Sequence, residues 1–229
     1  MNHYLIECCA NSIQSAIQAE LGGANRVELC ANLEVGGITP LREDITTLIK
    51  SVSIPIRILI RPRAGDFIYS KDEMMQMLTD IQFCKTIGCE GVVIGVLTKE
   101  GGINMNQTKR LVHAAKPMRV TFHRAFDEAN NLVKNLENVI ACDCDTLLTS
   151  GKAKNVSLGF KNLKRLVKIS SGRINILGGG GVNHTNVEAL FKIGIRNFHL
   201  SGSEKNTHGV LETNSKNIQA VAEKLEDIV

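Results

Sequence analysis

Eight short β-rich runs, YLIECC, RVELC, IRILIR, GVVIG, RVTFH, DTLLTS, INILG and NFHLS, alternate along the chain with eight stretches of helical apolar spacing, from SIQSAIQAEL to NSKNIQAVAEKLEDI. This alternation constrains the fold more tightly than any other feature. A helix-sized segment after each strand is what a parallel crossover needs, whereas antiparallel neighbours are joined by tight turns. Eight such units closing on themselves predict an α/β fold of the (β/α)8 TIM-barrel type, which usually takes ~250 residues. The chain has 229. A doubly wound open sheet is the alternative. No Pro- or Ser-rich linker breaks the pattern, so residues 1–229 read as one domain. The phrases GGANRVE (22–28) and IGCEG (87–91) place helix-ending glycines just ahead of strands two and four.

Composition removes several function classes. No apolar run approaches the ~20 residues that span a bilayer, and MNHYLIECC carries neither a basic leader nor a signal-peptide apolar region. No membrane partner and a cytoplasmic location are expected. The net charge of +4 is modest and its basic residues form no block with interleaved aromatics, which argues against nucleic acid. A small anionic molecule or a metal ion remains as partner. Seven cysteines, an odd number at irregular spacing, predict free thiols, and no CxxC pair marks a structural zinc site.

In such a barrel the active site sits at the C-terminal ends of the strands. Two near-identical words stand there: ECCAN (7–11) and ELCAN (28–32). Residues two apart on a strand share a face, so Glu7 goes with Cys9 and Glu28 with Cys30, and Cys8 points the other way. Outward carboxylates would be trapped unpaired beneath the helices, so the inward assignment is preferred. The same end collects Arg61, Arg63 and Asp66 from IRPRAGDF, and His123, Arg124 and Asp127 from TFHRAFD. It also receives Thr149, Ser150 and Gly151, and His199 and Ser201. Strand seven runs into Gly178, Gly179, Gly180 and Gly181, and strand eight into Ser201-Gly202. Glycine backbones let N–H groups approach an anion, and the loops after strands seven and eight commonly hold phosphate in this fold. Arg63, Ser150, Gly179, Gly180, Gly181, Ser201 and Gly202 are therefore candidate ligands of a phosphate or carboxylate, with a ligand-free tight turn as the alternative.

Taken together and in order, E-x-C followed by NS, RVELC, GGITP, IRPRAGDF, EGVVIG, TFHRAFD, LTSG, GGGGV and FHLSG resemble the CutC family of copper homeostasis proteins over nearly the whole chain. The resemblance implies a (β/α)8 barrel, a cytoplasmic homo-oligomer and a part in handling intracellular copper. It also implies that Cu(I) is held by Cys9 and Cys30. Where the family reads GGxTPS this chain has GGITPL, with Leu41 in place of the serine.

Two functions are thus expected to compete. Soft thiolates select Cu(I), neighbouring strands could supply two sulfurs, and nearby arginines would favour the thiolate; packing is the other use of buried cysteine. Cys84, Cys89, Cys142 and Cys144 fall at the opposite barrel end and are expected to pack, as are Met74, Met75 and Met77 on a helix. The alternative function is an isomerase or lyase acting on a small phosphorylated or carboxylated metabolite. Glu7 and Glu28 would split their pKa values or be held ionised by Arg61, and His123 would be the partner acid or base. The absence of lysine at any strand end argues against a Schiff-base aldolase. A third reading is a purely structural ion-pair network.

Overall fold

A computed structural model describes residues 4–207 and 209–229. Eight parallel strands close into a barrel in sequence order: β1 (Leu5–Ala10), β2 (Arg26–Leu29), β3 (Ile56–Leu59), β4 (Gly91–Ile94), β5 (Arg119–Phe122), β6 (Thr146–Thr149), β7 (Asn175–Gly179) and β8 (Asn197–Leu200). The open-sheet alternative is excluded by the pairing of β1 with both β2 and β8. Around the barrel run α1 (Ile13–Leu21), α2 (Arg42–Ser51), α3 (Lys71–Ile87), α4 (Met105–Ala115), a four-residue α5 (Ala125–Glu128), α6 (Leu132–Ala141), α7 (Phe160–Ser170), α8 (Val187–Lys192) and α9 (Ser215–Glu226). No described helix is long and apolar enough to cross a membrane.

Local chemistry sets the helix ends. Ser12 caps α1 by accepting from the Ser15 N–H, Ser70 and Glu73 form a reciprocal capping box on α3, and Gly88 ends α3 at φ 86°, a conformation that favours a residue without Cβ. Two elements were not expected. Helix α5 begins directly after His123 and Arg124, and an antiparallel hairpin, β9 (Ser203–Lys205) with β10 (Leu211–Thr213), stands between β8 and α9. Asn11 anchors that hairpin by donating to the Leu211 carbonyl, and the Thr213 N–H donates to Ser15 Oγ.

Strand alternation sorts the barrel into two layers. Ile6, Cys8, Val27, Ile58, Val92, Val120, Leu147, Ile176 and Phe198 belong to the main apolar core, packed with the helices. The inward set is unusually polar for a fold whose interior is ordinarily filled by branched aliphatics. Arg26, Arg57, Thr121 and Thr146 fill its lower part, all buried. Arg57 makes a two-pronged ion pair with Glu90 (2.7 and 3.2 Å) and reaches across to Thr121 Oγ1 (2.5 Å). Gly91 makes room for it, since a Cβ there would lie 3.1 Å from Arg57 Cγ.

Cys84, Cys89, Cys142 and Cys144 are buried in the main core. Of the methionines on α3, Met74 and Met77 pack inward, but Met75 is exposed. The three cannot share one helical stripe, because the middle member falls on the opposite side of the turn.

Candidate active site

The inward residues at the upper end of the barrel open onto a cavity of about 670 Å³. Cys9, Glu28, Arg61, His123, Gly180, Gly181, Ser201 and Gly202 lie on its wall, joined by Arg124, Phe67 and His199. Glu7 and Cys30 sit just beneath, buried at 0% and 1% exposure.

The registers of β1 with its two neighbours explain the heart of the site. Glu7 pairs with Arg26 on one side and with His199 on the other, and Cys9 pairs with Glu28. Glu7 Oε2 accepts from Arg26 Nε at 2.5 Å, and Glu7 Oε1 lies 2.8 Å from His199 Nδ1. Burial alone would push the Glu7 carboxyl upward, but Arg26, His199 and Arg57 outweigh it and bring it down to about 2. Glu28 has no such clamp. Its Oε2 is buried without a hydrogen-bond partner among the described residues, 3.8 Å from His199 Nδ1. Burial raises Glu28 to about 7, against the pull of His199 and with the push of the Glu7 charge. The two glutamates therefore separate into a fixed anion and a carboxyl that titrates near neutrality, the pattern that divides acid–base roles. His199 is raised in turn: burial disfavours its cation, and the Glu7 hydrogen bond and the Glu28 charge prevail.

His123 differs from the acid or base expected from the sequence. Its Nδ1 accepts from the Ala125 N–H at 3.1 Å, which leaves the proton of the neutral ring on Nε2. Burial and the Arg61 charge lower its pKa to about 3, so the ring stays neutral across the physiological range. Nε2 is buried without a partner among the described residues. Leaving a buried donor or acceptor unmet costs roughly 1–3 kcal/mol, and among the described residues the lining of this cavity holds three such atoms, Glu28 Oε2, His123 Nε2 and Arg61 Nε.

Arg61 does not touch either glutamate. Its guanidinium donates to the carbonyls of Val35 (3.1 Å), Gly37 (2.8 Å) and Gly65 (2.8 Å) and lies over the Phe67 ring. The clamp on Glu7 comes from Arg26 instead. Arg26 shares the inward parity of Glu28, and Arg57 that of Arg61, so strand alternation carried the signal for both.

The anion candidates divide. Gly180 and Gly181 take φ 101° and 78° on the cavity wall, and Gly202 takes φ 57°. Gly179 is packed beneath, where a Cβ would meet Leu148 at 2.5 Å and His199 at 3.1 Å. Ser150 is fully buried and its hydroxyl is engaged by Asp127, Ala153 and Arg124. Arg63 lies outside the wall, tied to Glu73 (2.5 Å), Asp66 (2.9 Å) and the Ile68 carbonyl. Arg124, held by Asp127 and Ser150 through Nε and Nη2, rests its guanidinium against Gly180.

Two groups of residues could hold a metal. Cys9 Sγ and Cys30 Sγ stand 3.7 Å apart in a small apolar cluster with Leu59 and Val93, a soft donor pair that suits Cu(I). The thiolate is not prepared by arginines, as the sequence had suggested. The Cys30 hydrogen bond, burial and the Glu28 charge hold the Cys9 thiol well above its ordinary value, while the arginines serve Glu7. Glu7, Glu28 and His199 offer the other set, with ligand atoms within 4.8 Å of one another, although Glu7 already accepts from Arg26 and faces His199.

Comparison with known proteins gives a consistent relationship. The CutC family model matches residues 4–204. A family protein CutC of Bacteroides fragilis is 43% identical over 212 residues, covering 92% of this chain and 84% of the relative. The copper homeostasis protein cutC homolog of Homo sapiens is 38% identical over 215 residues, covering 93% and 79%. The structure of CutC from Streptococcus agalactiae superposes with a TM-score of 0.82 at 29% identity, over 86% of this chain and 98% of that one.

Proposed function

The chain belongs to the CutC family, and within it we propose that this protein is a small-molecule enzyme of the isomerase or lyase type, acting by proton transfer on a small anionic metabolite. One observation carries the reading: Glu28 and His123 line the same cavity, and each has a buried side-chain atom, Oε2 and Nε2, without a partner among the described residues. Folding alone gains nothing from two unmet polar atoms, whereas a bound substrate would satisfy both. Glu28 is the acid–base group, since its pKa near 7 lets it take and return a proton at neutral pH. Glu7 is its fixed counterpart, kept ionised by Arg26 and orienting His199. Gly180, Gly181, Gly202 and Arg124 supply N–H groups and positive charge for the anionic end of the substrate.

Incubating the protein with a metabolite extract and following the mixture by mass spectrometry and NMR tests this reading. At least one phosphorylated or carboxylated compound should change, and the change should cease in Glu28→Gln. An extract that the wild-type protein leaves untouched would refute it.

A second reading is favoured by the 3.7 Å approach of the Cys9 and Cys30 sulfurs, with Cys9 at the cavity wall. In this reading Cu(I) is cargo bound by the two thiolates, and the name of the human relative, copper homeostasis protein cutC homolog, agrees with it. Binding would release a proton from the Cys9 thiol, which the Cys30 hydrogen bond and burial keep protonated, so affinity should rise with pH. Anaerobic Cu(I) titration against a competing chelator should reveal one tight site that disappears in Cys9→Ser. Equal affinity in that variant would remove this reading.

A further inference from the structure

The setting of His123 says more about the substrate than the acid–base groups do. The residue follows β5, continues its ladder by donating its N–H to the Ile94 carbonyl, and turns its ring inward over Gly95. A Cβ on Gly95 would overlap that ring. Phe67 packs against it at a centroid distance of 4.9 Å and an angle of 53°, and Phe122 at 6.1 Å. The Ala125 N–H, at the start of α5, occupies the Nδ1 lone pair. Orientation and tautomer are both fixed, and the polar group this cavity-lining ring has left to offer is the Nε2–H, buried and without an acceptor among the described residues.

A neutral N–H of this kind is poorly suited to a substrate group that carries full charge before reaction begins. Fixed cations serve such groups, and Arg124 stands on the same wall. A prepositioned neutral donor is most effective where charge develops on an oxygen during the reaction. We propose that His123 is a catalytic hydrogen-bond donor that polarises a substrate carbonyl through Nε2–H, which makes the substrate a small carbonyl compound bearing a carbon-bound proton beside that carbonyl.

This inference rests on the enzyme reading given above. In the step it describes, the carbon–hydrogen bond next to the carbonyl breaks and its proton passes to the Glu28 carboxylate. The bonding pair forms a carbon–carbon double bond and the carbonyl π pair moves onto oxygen, where Nε2–H holds it. Where the deprotonated carbon bears a hydroxyl, passing its O–H proton to the enolate oxygen and the Glu28 proton to the former carbonyl carbon, as the hydroxyl carbon becomes the new carbonyl, completes an isomerisation. Where the β carbon bears a leaving group, re-forming the carbonyl expels that group with its bonding pair, Glu28 returns the proton to it, and an elimination is complete. No oxidant or cofactor enters the balance. His123 keeps its proton throughout, since burial and Arg61 oppose the imidazolium and the Ala125 N–H blocks Nδ1.

Two measurements test the proposal. In 15N-labelled protein, the His123 signals, assigned by their loss in His123→Gln, should show the Nε2–H tautomer unchanged from about pH 5.5 to 8.5, the range in which an ordinary histidine titrates. An Nδ1–H tautomer, or titration within that range, overturns the proposal. The second uses a panel of three- to six-carbon aldehydes, ketones and 2-oxo acids carrying phosphate or carboxylate, each matched with its alcohol, incubated with the protein in D2O. At least one carbonyl compound should lose the 1H signal of the carbon beside its carbonyl. His123→Leu should slow that exchange by ~100-fold or more, the usual effect of removing an oxyanion donor, and His123→Gln, which keeps a neutral N–H, should recover part of it. Should His123→Leu fail to fold, His123→Phe, aromatic like the native ring and without an N–H, takes its place. Exchange at the wild-type rate in these variants would overturn the role of His123, and turnover confined to the alcohols would overturn the carbonyl assignment as well, each leaving the enzyme reading standing. Turnover of neither set would overturn both.

Discussion

Glu7 Oε1 lies 2.8 Å from His199 Nδ1 across the β1–β8 pair, where the two residues are in direct register, while Glu7 Oε2 accepts from Arg26 Nε on the β2 side. One carboxylate thus neutralises partners on both neighbouring strands, at a point in the barrel with no exposure to solvent.

Replacing that carboxylate should be severe. Glu7→Gln leaves Arg26 buried without a counter-ion, and removing one partner of a buried pair typically costs about 3–5 kcal/mol. Urea unfolding should show a loss of that order. Because the folded carboxyl lies at about 2, below its ordinary 4.5, the stability it contributes is present above pH 4.5 and is lost as pH falls toward 2. The variant should lack this part of the acid limb, and an acid limb unchanged from wild type would contradict the assignment.

Glu28 works in the opposite direction. Its folded pKa of about 7 stands above the ordinary 4.5, so its contribution is fully present below pH 4.5 and declines as pH rises through 7. Wild type measured against Glu28→Gln should therefore lose relative stability between pH 4.5 and about 7.5. A flat difference over that window would place the Glu28 carboxyl in the ordinary range.

Asp127 organises the ground beneath the cavity without reaching it. Its carboxylate accepts from Thr149 Oγ1 (2.5 Å), the Ser150 N–H (3.0 Å), the Lys152 N–H (2.9 Å) and Arg124 Nε (2.9 Å). Asp127→Ala strands several of these donors at once and should lower stability by about 3 kcal/mol or more. It should also release Arg124 from Gly180, so thermal unfolding and anion affinity are expected to fall together. A variant that loses stability but binds inorganic phosphate as wild type would separate Arg124 from the anion site.

How much of this could be read from the chain depends on what each residue's position is coupled to. Strand period is local and strong, so spacing alone pairs Glu7 with Cys9 and Glu28 with Cys30 and counts eight units, while the cost of trapping carboxylates beneath the helices turns both pairs inward. Arg26 and Arg57 had the same parity but sit low on their strands, away from the end where function was sought. Arg63 stands apart for a different reason: four residues beyond the end of β3, alternation no longer fixes direction, and Glu73 at the head of α3 holds it. The β9–β10 hairpin was invisible because three-residue strands carry no period, and its anchors, Asn11 and Ser15, are almost two hundred residues away in sequence. The role of His123 turned on one backbone N–H two residues later, which residue types do not reveal.

The placement of Cys9 in front of Cys30 has a consequence for any experiment on either function. Cys9 borders the cavity that Glu28 and His123 also border, and Cys30 lies behind it at 1% exposure. An organic occupant of that chamber would stopper the thiols, and a metal seated on them would crowd the occupant. Ligand protection of Cys9 from alkylation would therefore report chamber occupancy directly, giving a single-residue gauge of binding that does not depend on turnover.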